Sequence, residues 1–176
     1  MKKVCITVIV ILSTVTLSIG QTVKLSCSEK ERKNEEGKDP ILVKTCFIRN
    51  FKFITTSSPD YAGRYIFDEY EVYVKKDNKY IRTTNSSVFN KKQNELLFTI
   101  NERILQDFNS YRSDSSTMEC LSGIDTIPTY KMNDLDITFY NDEIWFVVKW
   151  GLPMACRAVD GTIITFKISE ISHYLK

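Results

Sequence analysis

Cysteine side chains carry most of the covalent chemistry open to this 176-residue chain. Cys5 lies in an apolar leader, whereas Cys27, Cys46, Cys120 and Cys156 lie beyond it. The spacings of these four are long and include no C-x-x-C pair, unlike the spacings of zinc ligands. An even number of cysteines in an exported chain predicts two disulfides, and three pairings are possible. We therefore expect neither a thiol nucleophile nor a metal site.

Histidine is the other residue type on which nucleophilic catalysis depends, and His173 is the one histidine in the sequence. A Ser-His-Asp or Cys-His mechanism would have to use it. It lies near the C-terminus, where chain ends often fray, so we expect a surface histidine. The sequence has no G-x-S-x-G, P-loop, G-x-G-x-x-G or H-E-x-x-H motif. These features predict a protein that is not an enzyme and that holds no cofactor.

Two groups of carboxylates have a spacing that acid–base catalysis can use. Asp68, Glu69 and Glu71 form the first group, and strand alternation places Glu69 and Glu71 on one face. Asp134 and Asp136 form the second group and also share a face. Such spacing is common on solvated strands that flank turns. A carboxylate-dependent hydrolase is therefore the third choice of function.

The first twenty residues have the organisation of a secretory signal peptide. Two lysines precede an uncharged, apolar-rich stretch, and the small residues Ser18 and Gly20 stand just before an expected cleavage ahead of Gln21. We expect residues 1–20 to be removed and residues 21–176 to form a single secreted, extracellular β-rich domain. No later stretch is apolar enough to span a bilayer, so we expect no membrane insertion after cleavage.

The formal charge of +2 belongs to the precursor, because the leader carries Lys2 and Lys3 and no acidic residue. Without the leader the net charge is zero. A neutral chain without a basic stripe argues against a nucleic-acid partner and against attraction to anionic lipid. Asn85 begins the sequon Asn85-Ser86-Ser87, which predicts N-glycosylation in a surface segment.

Most of the chain after residue 40 alternates apolar and polar residues, which is the period of half-buried strands. The longest run, residues 65–74, places Val72 and Val74 on one face. Apolar residues on both faces of residues 144–150 predict a central strand. Other strands are expected at 41–48, 51–55, 80–82, 95–98 and 135–140, with turns at 76–78 and 141–142, and with a hairpin formed by 154–159 and 162–168. The charged residues 29–40 and the polar residues 56–60 are expected to be loops.

One segment, near residues 100–112, has the period of an amphipathic helix instead. We expect Thr99 or Asn101 to cap its start. Short connections elsewhere favour antiparallel pairing. The predicted fold is mainly β, an antiparallel β-sandwich or barrel of about eight strands with one packed α-helix and two disulfides.

Aromatic residues are abundant, with nine Tyr, ten Phe and two Trp. Most must lie in the core, but alternation exposes Tyr73, Tyr140 and Trp145, which are candidate contacts for a partner. The sequence thus predicts a secreted, non-enzymatic protein that binds another extracellular protein through a sheet face or loops. The alternative is a carrier of a small hydrophobic ligand inside a β-barrel of calycin-like architecture.

Overall fold

The structure, a computed structural model, describes residues 23–32, 40–59 and 65–176. The expected signal peptide, residues 1–20, lies outside the described residues, and so does part of the charged stretch, residues 33–39. No helix in the described part of the chain is long and apolar enough to cross a bilayer.

Five strands form an antiparallel meander in which neighbours along the chain are neighbours in the sheet. Short connections make this order possible, because antiparallel strands need only a tight turn between them. At one such turn, Asp77 and Asn78 have φ angles of 46° and 63°, the left-handed values that a two-residue hairpin requires. The strands are β1 (Leu25–Arg32), β2 (Ile41–Ile48), β3 (Phe51–Pro59), β4 (Tyr65–Lys76) and β5 (Lys79–Thr83).

Three further strands, β6 (Asp136–Tyr140), β7 (Glu143–Val148) and β8 (Thr162–Lys167), form a second antiparallel sheet in the order β6-β7-β8. The central place of β7 confirms the prediction drawn from its two apolar faces. The predicted turn at residues 141–142 is also present, and Asn141 has a φ of 53°.

The long helix, α1 (Gln93–Ser113), begins seven residues before the predicted start, and two short helices follow, α2 (Met118–Leu121) and α3 (Ile168–Ile171). The predicted strand at 95–98 is wrong. Its apolar residues form the first turns of the helix, where Leu96 continues the buried stripe of Ile100, Ile104 and Phe108. Thr99 and Asn101, the expected caps, lie inside the helix.

The core lies between the two sheets and under α1. Phe53 of β3 contacts Phe139 of β6 edge to face, with ring centroids 4.9 Å apart. The four apolar residues of the α1 stripe are buried in or beside the same core. The mainly β fold class, the antiparallel pairing and the packed helix are therefore confirmed. Of the two predicted alternatives, the described strands form a sandwich-like pair of sheets.

Both predicted disulfides are present, as Cys27–Cys46 and Cys120–Cys156. Cys27 and Cys46 lie directly opposite each other on β1 and β2. Cys120 in α2 joins a short 3-10 helix, Met154–Val159, in the segment between β7 and β8. The first disulfide joins the edge strand β1 to its neighbour β2, and the second attaches the loop between β7 and β8 to α2.

That 3-10 helix overturns the predicted hairpin of residues 154–159 and 162–168, of which the second strand is present as β8 and the first is not a strand. The Asp160 carboxylate accepts hydrogen bonds from the backbone N–H groups of Trp150 and Leu152, at 3.1 and 2.8 Å, and so holds a loop instead of a strand. Gly161 has a φ of 124°, and a Cβ there would lie 1.9 Å from the Val148 carbonyl oxygen. The Asp-Gly pair therefore serves a close backbone approach between β7 and β8.

One strand, β1, was not predicted, and β3 is longer than predicted. Residues 29–32 belong to β1 and residues 56–59 belong to β3, although both segments are polar and were expected in loops. Pairing with β2 explains the first case, because Glu29 lies opposite Lys44 and their side chains form an ion pair at 3.1 Å. Cross-strand contacts of this kind override weak local strand propensity.

Candidate binding surfaces

The five-stranded sheet has one buried face and one solvent-facing face. On the buried face lie Phe51, Phe53 and Val72, each at most 5 % exposed. The register of the strands assigns the opposite side chains to the face that we call the outer face. Its members include Ser26, Ser28, Lys30, Arg32, Ile41, Val43, Thr45, Phe47, Lys52, Ile54, Thr56, Glu69, Glu71, Tyr73, Lys75, Tyr80 and Arg82.

An aromatic cluster lies on this outer face around one lysine. We define the aromatic cluster as Phe47, Lys52, Tyr73 and Tyr80, which come from four successive strands. Lys52 Nζ lies 4.2 Å from the ring centroid of Tyr73 and 5.1 Å from that of Tyr80. The rings of Phe47 and Tyr80 are 5.9 Å apart between centroids, and each side chain is 37 % exposed. The lysine is within the range of a cation–π interaction with both tyrosines.

Tyr73 is fixed in this cluster by a polar contact at its tip. Its hydroxyl donates to Glu71 Oε2 at 3.0 Å, and the other carboxylate oxygen of Glu71 forms an ion pair with Arg82 at 3.3 Å. Desolvation of the phenol, together with the hydrogen bond and the charge of Glu71, raises the pKa of Tyr73. Tyr73 therefore stays a neutral donor at physiological pH.

The outer face is locally basic although the chain without its leader is neutral. Among the side chains that the structure describes, five basic and two acidic ones belong to it, which leaves a net charge of +3. A groove of about 540 Å³ extends from Phe47 between β1 and β2, and its charged lining residues are Lys30, Glu31 and Arg32. Composition did not reveal this patch, because each cation comes from a different strand or from alternate positions of one strand.

The other two predicted contact residues lie together at a different place. The rings of Tyr140 and Trp145 are 5.2 Å apart between centroids. Trp145 Nε1 donates to Glu143 Oε2 at 3.1 Å, and Lys44 Nζ lies 5.6 Å from the Tyr140 ring centroid. Tyr140 is exposed, whereas Trp145 is half-buried. The structure thus pairs Tyr140 with Trp145 and places Tyr73 on the outer face without them.

The first group of candidate carboxylates is split between different surroundings. The ladder between β3 and β4 shifts its register beside Thr56 and skips Asp68, whose side chain lies outside the described part. Glu69 is exposed to solvent. Glu71 is engaged by Tyr73 and Arg82. Glu71 therefore has a structural role on this face, as the partner of Tyr73 and Arg82.

The second group has one capping carboxylate and one half-buried one. Asp134 lies in a 3-10 helix, and its Oδ2 accepts from the Lys131 backbone N–H at 2.8 Å. Asp136 is the first residue of β6, and burial raises its pKa while the charge of Lys149 opposes that shift. The expected common strand face for the pair is wrong, because β6 begins after Asp134.

His173 is exposed, and its ring centroid lies 3.9 Å from that of Tyr174. Within residues 23–32, 40–59 and 65–176, no three acidic, cysteine or histidine side chains are grouped closely enough to hold a metal ion.

Asn85, the predicted glycosylation site, is half-buried at the start of a 3-10 helix, Asn85–Val88. Its amide nitrogen, the atom to which a glycan is attached, donates to the Leu135 carbonyl at 2.5 Å. One of the two amide hydrogens is thus used to hold this helix against the segment before β6. The other hydrogen is the one that glycosylation would replace.

Comparisons with models of protein families, with curated proteins and with solved structures found no match. The candidate site therefore depends on geometry alone. Three members of the aromatic cluster, Phe47, Lys52 and Tyr80, were missed from the sequence. Each lies on the solvent-facing side of its own strand, but only the register across four strands brings them together.

Proposed function

We propose that this chain is an exported, non-enzymatic binding protein that engages another extracellular protein through the outer face of its five-stranded sheet. The observation that carries the proposal is the aromatic cluster, in which three partly exposed rings from three strands surround Lys52. Aromatic residues with a polar tip are enriched among the residues that dominate protein–protein binding energy.

The cluster is held in place before any partner arrives. Its members lie on paired strands, Lys52 contacts two of the rings, and Glu71 accepts from the Tyr73 hydroxyl. Side chains already fixed in this way lose little conformational entropy on binding. The two tyrosines of the cluster can therefore contribute to binding free energy even where the contact area with the partner is modest.

Charge supports a partner with an acidic surface. The net +3 of the outer face would attract such a surface, and the groove beside Lys30 and Arg32 offers space for its side chains. Complementary charge speeds encounter and favours the correct partner more than it adds affinity. Glu69 and Glu71 of β4 lie on the same face, and their charges would repel a partner surface that is acidic throughout.

The carrier alternative is less well supported. A carrier needs an empty apolar cavity in its interior. The space between these sheets is instead filled by large side chains that are at most 2 % exposed, including Phe53, Phe89, Phe139 and Phe146. Export of the chain, with removal of residues 1–20, remains part of the proposal. The two disulfides are compatible with an oxidising compartment.

The test is binding of the purified chain to an array of extracellular protein domains. The F47S/Y73S/Y80S variant removes the rings of the aromatic cluster. The matched control, F98S/L105S/M118S, removes three exposed apolar side chains from the helical layer. We expect domains that retain the wild type to retain the control and to lose the cluster variant by at least tenfold in affinity. Equal binding of all three proteins would overturn the proposal, with circular dichroism confirming that each is folded.

A further inference from the structure

A second cleft, distinct from the outer face, lies where α1 meets the ends of β7 and β8. Its volume is about 530 Å³, within the range of small-molecule sites. Tyr111 and Asp107 of α1 form one wall, and Tyr70 of β4 contributes from the other sheet. Lys149 and Arg157 lie on the segment that leaves β7.

The floor of this cleft is apolar. Val147 and Ile163, which line the cleft, lie side by side on β7 and β8, and Asp136 lies beside Val147 on β6. Ile163 lines the cleft and is 42 % exposed. Tyr111 packs edge to face on Trp150 with centroids 5.7 Å apart and is 37 % exposed. A flat apolar ligand in the cleft would therefore contact exposed apolar surface on two sides, at Ile163 and at Tyr111.

Both carboxylates of the lining are already used by donors of the chain itself. Asp107 Oδ2 accepts a hydrogen bond from the Thr162 hydroxyl. Asp160 Oδ1 accepts from two backbone N–H groups of the preceding loop. Both contacts come from uncharged donors, so the two carboxylates keep their charge, and among the described residues neither forms an ion pair with Lys149 or Arg157.

The two basic side chains of the lining, Lys149 and Arg157, are available to pair with a bound anion. Lys149 and Arg157 are both exposed, and neither forms an ion pair with any described residue. The charge of Lys149 also acts on the half-buried Asp136, whose pKa it lowers against the larger effect of burial. An anionic group in the cleft would be the first direct partner of the Arg157 guanidinium, which suits carboxylate, sulfonate or phosphate geometry.

The walls are fixed by covalent and backbone constraints. The Cys120–Cys156 disulfide attaches the loop that carries Arg157 to α2. Gly161, which also lines the cleft, is held against the Val148 carbonyl by a contact that no side chain would fit. Sites on constrained elements bind with little ordering cost.

We propose that this cleft binds a small organic anion, whose acidic group pairs with Lys149 and Arg157 and whose apolar body covers Ile163 and Tyr111. This inference is independent of the outer face and of the protein partner proposed for it.

The probe for the test is 1-anilinonaphthalene-8-sulfonate, an aromatic anion whose fluorescence reports binding. We expect saturable binding by the wild type and at least a tenfold rise in Kd for K149Q/R157Q. The K91Q/K92Q control, which removes two exposed lysines before α1, should bind like the wild type. F47S/Y73S/Y80S should also retain the probe, which separates this cleft from the outer face.

A neutral analogue, N-phenyl-1-naphthylamine, tests the role of charge. It should bind the wild type at least tenfold more weakly than the sulfonate, and K149Q/R157Q should not change its Kd. The inference is overturned if the wild type shows no saturable binding of the sulfonate. It is equally overturned if K149Q/R157Q binds the sulfonate as the wild type does.

Discussion

The hydroxyl oxygens of Thr55 and Thr138 lie 2.9 Å apart at the buried junction of the two sheets. Thr55 belongs to β3 and Thr138 to β6, and both are at most 2 % exposed. One hydroxyl donates to the other, so neither leaves a buried polar group without a partner at this point. The pair fixes the position of β6 against β3 where the remaining contacts are apolar and less directional.

Replacing one member of this pair should cost more than replacing both. T55V or T138V leaves a buried hydroxyl without its partner, and we expect each to lower the free energy of unfolding by about 1–3 kcal/mol. The double variant T55V/T138V removes both hydroxyls at nearly constant volume and should recover part of that loss. Urea denaturation of the four proteins measures the coupling. Strictly additive losses would show that the hydroxyls do not interact.

Loss of the second disulfide should weaken both the fold and the cleft. C120A/C156A opens a cross-link that spans 36 residues, and the chain-entropy relation gives a loss of about 4 kcal/mol. The freed loop should also bind the anionic probe more weakly. C27A/C46A is the matched control, with a span of 19 residues and an expected loss of about 3 kcal/mol. Its probe affinity should be unchanged, and equal weakening in both variants would contradict a local role for Cys120–Cys156.

Asp136 should make stability fall as pH rises through the acidic range. Burial raises its pKa above the ordinary value of 3.8, so the folded chain binds this proton more tightly than the unfolded chain. Stability from this group is complete below 3.8 and is lost as pH rises through the folded pKa. We expect D136N to gain free energy of unfolding relative to the wild type between about pH 4 and pH 7.

The measurement is denaturant unfolding of the two proteins across that pH range. D142N, at the exposed turn between β6 and β7, is the control and should follow the wild type in parallel. A constant difference between D136N and the wild type at every pH would show that burial of Asp136 has no linked effect.

Arg49 should hold the C-terminal segment in place. Its guanidinium donates to the carbonyls of Leu175 at 2.7 Å and Ser172 at 3.2 Å. Beside it, the Lys176 N–H donates to the Val88 carbonyl at 2.9 Å. R49A removes two charge-assisted bonds, and we expect about tenfold faster hydrogen exchange at the Lys176 amide. R49K should give an intermediate rate, since an ammonium lacks the planar fork. Unchanged exchange in R49A would mean that other contacts hold the segment.

The alternation of apolar and polar residues predicted the strands that are buried on one face and the strand that is buried on both faces. Val72 of β4 is buried as its period required, and β7 is central as its two apolar faces required. The predictions failed where local and tertiary signals differ. The run at residues 95–98 is too short for its period alone to distinguish a strand from a helix. Its helical conformation becomes clear only from the burial of Leu96 in the core beside Ile100 and Ile104.

Other features depend on contacts that no single segment contains. β1 is polar and exists because it pairs with β2, to which Cys27–Cys46 also joins it. The aromatic cluster required the register of four strands. The cleft required Asp160 to hold a loop where Asp-Gly alone favours a tight hairpin turn. Sequence therefore predicted Tyr73 on the solvent-facing side of its strand, where it is half-buried, but not the residues around it.

Photo-cross-linking from the aromatic cluster tests the proposed binding face most directly. p-Benzoylphenylalanine is placed at Tyr80 in one protein and at Phe98, an exposed position on α1, in the control. Both are applied to the extracellular face of intact cells and to secreted proteins. The proposed function predicts a discrete cross-linked species from position 80 that unlabelled wild type competes away and F47S/Y73S does not, with no such species from position 98. The same cross-linked species from both positions, or competition by F47S/Y73S as effective as by the wild type, would contradict it.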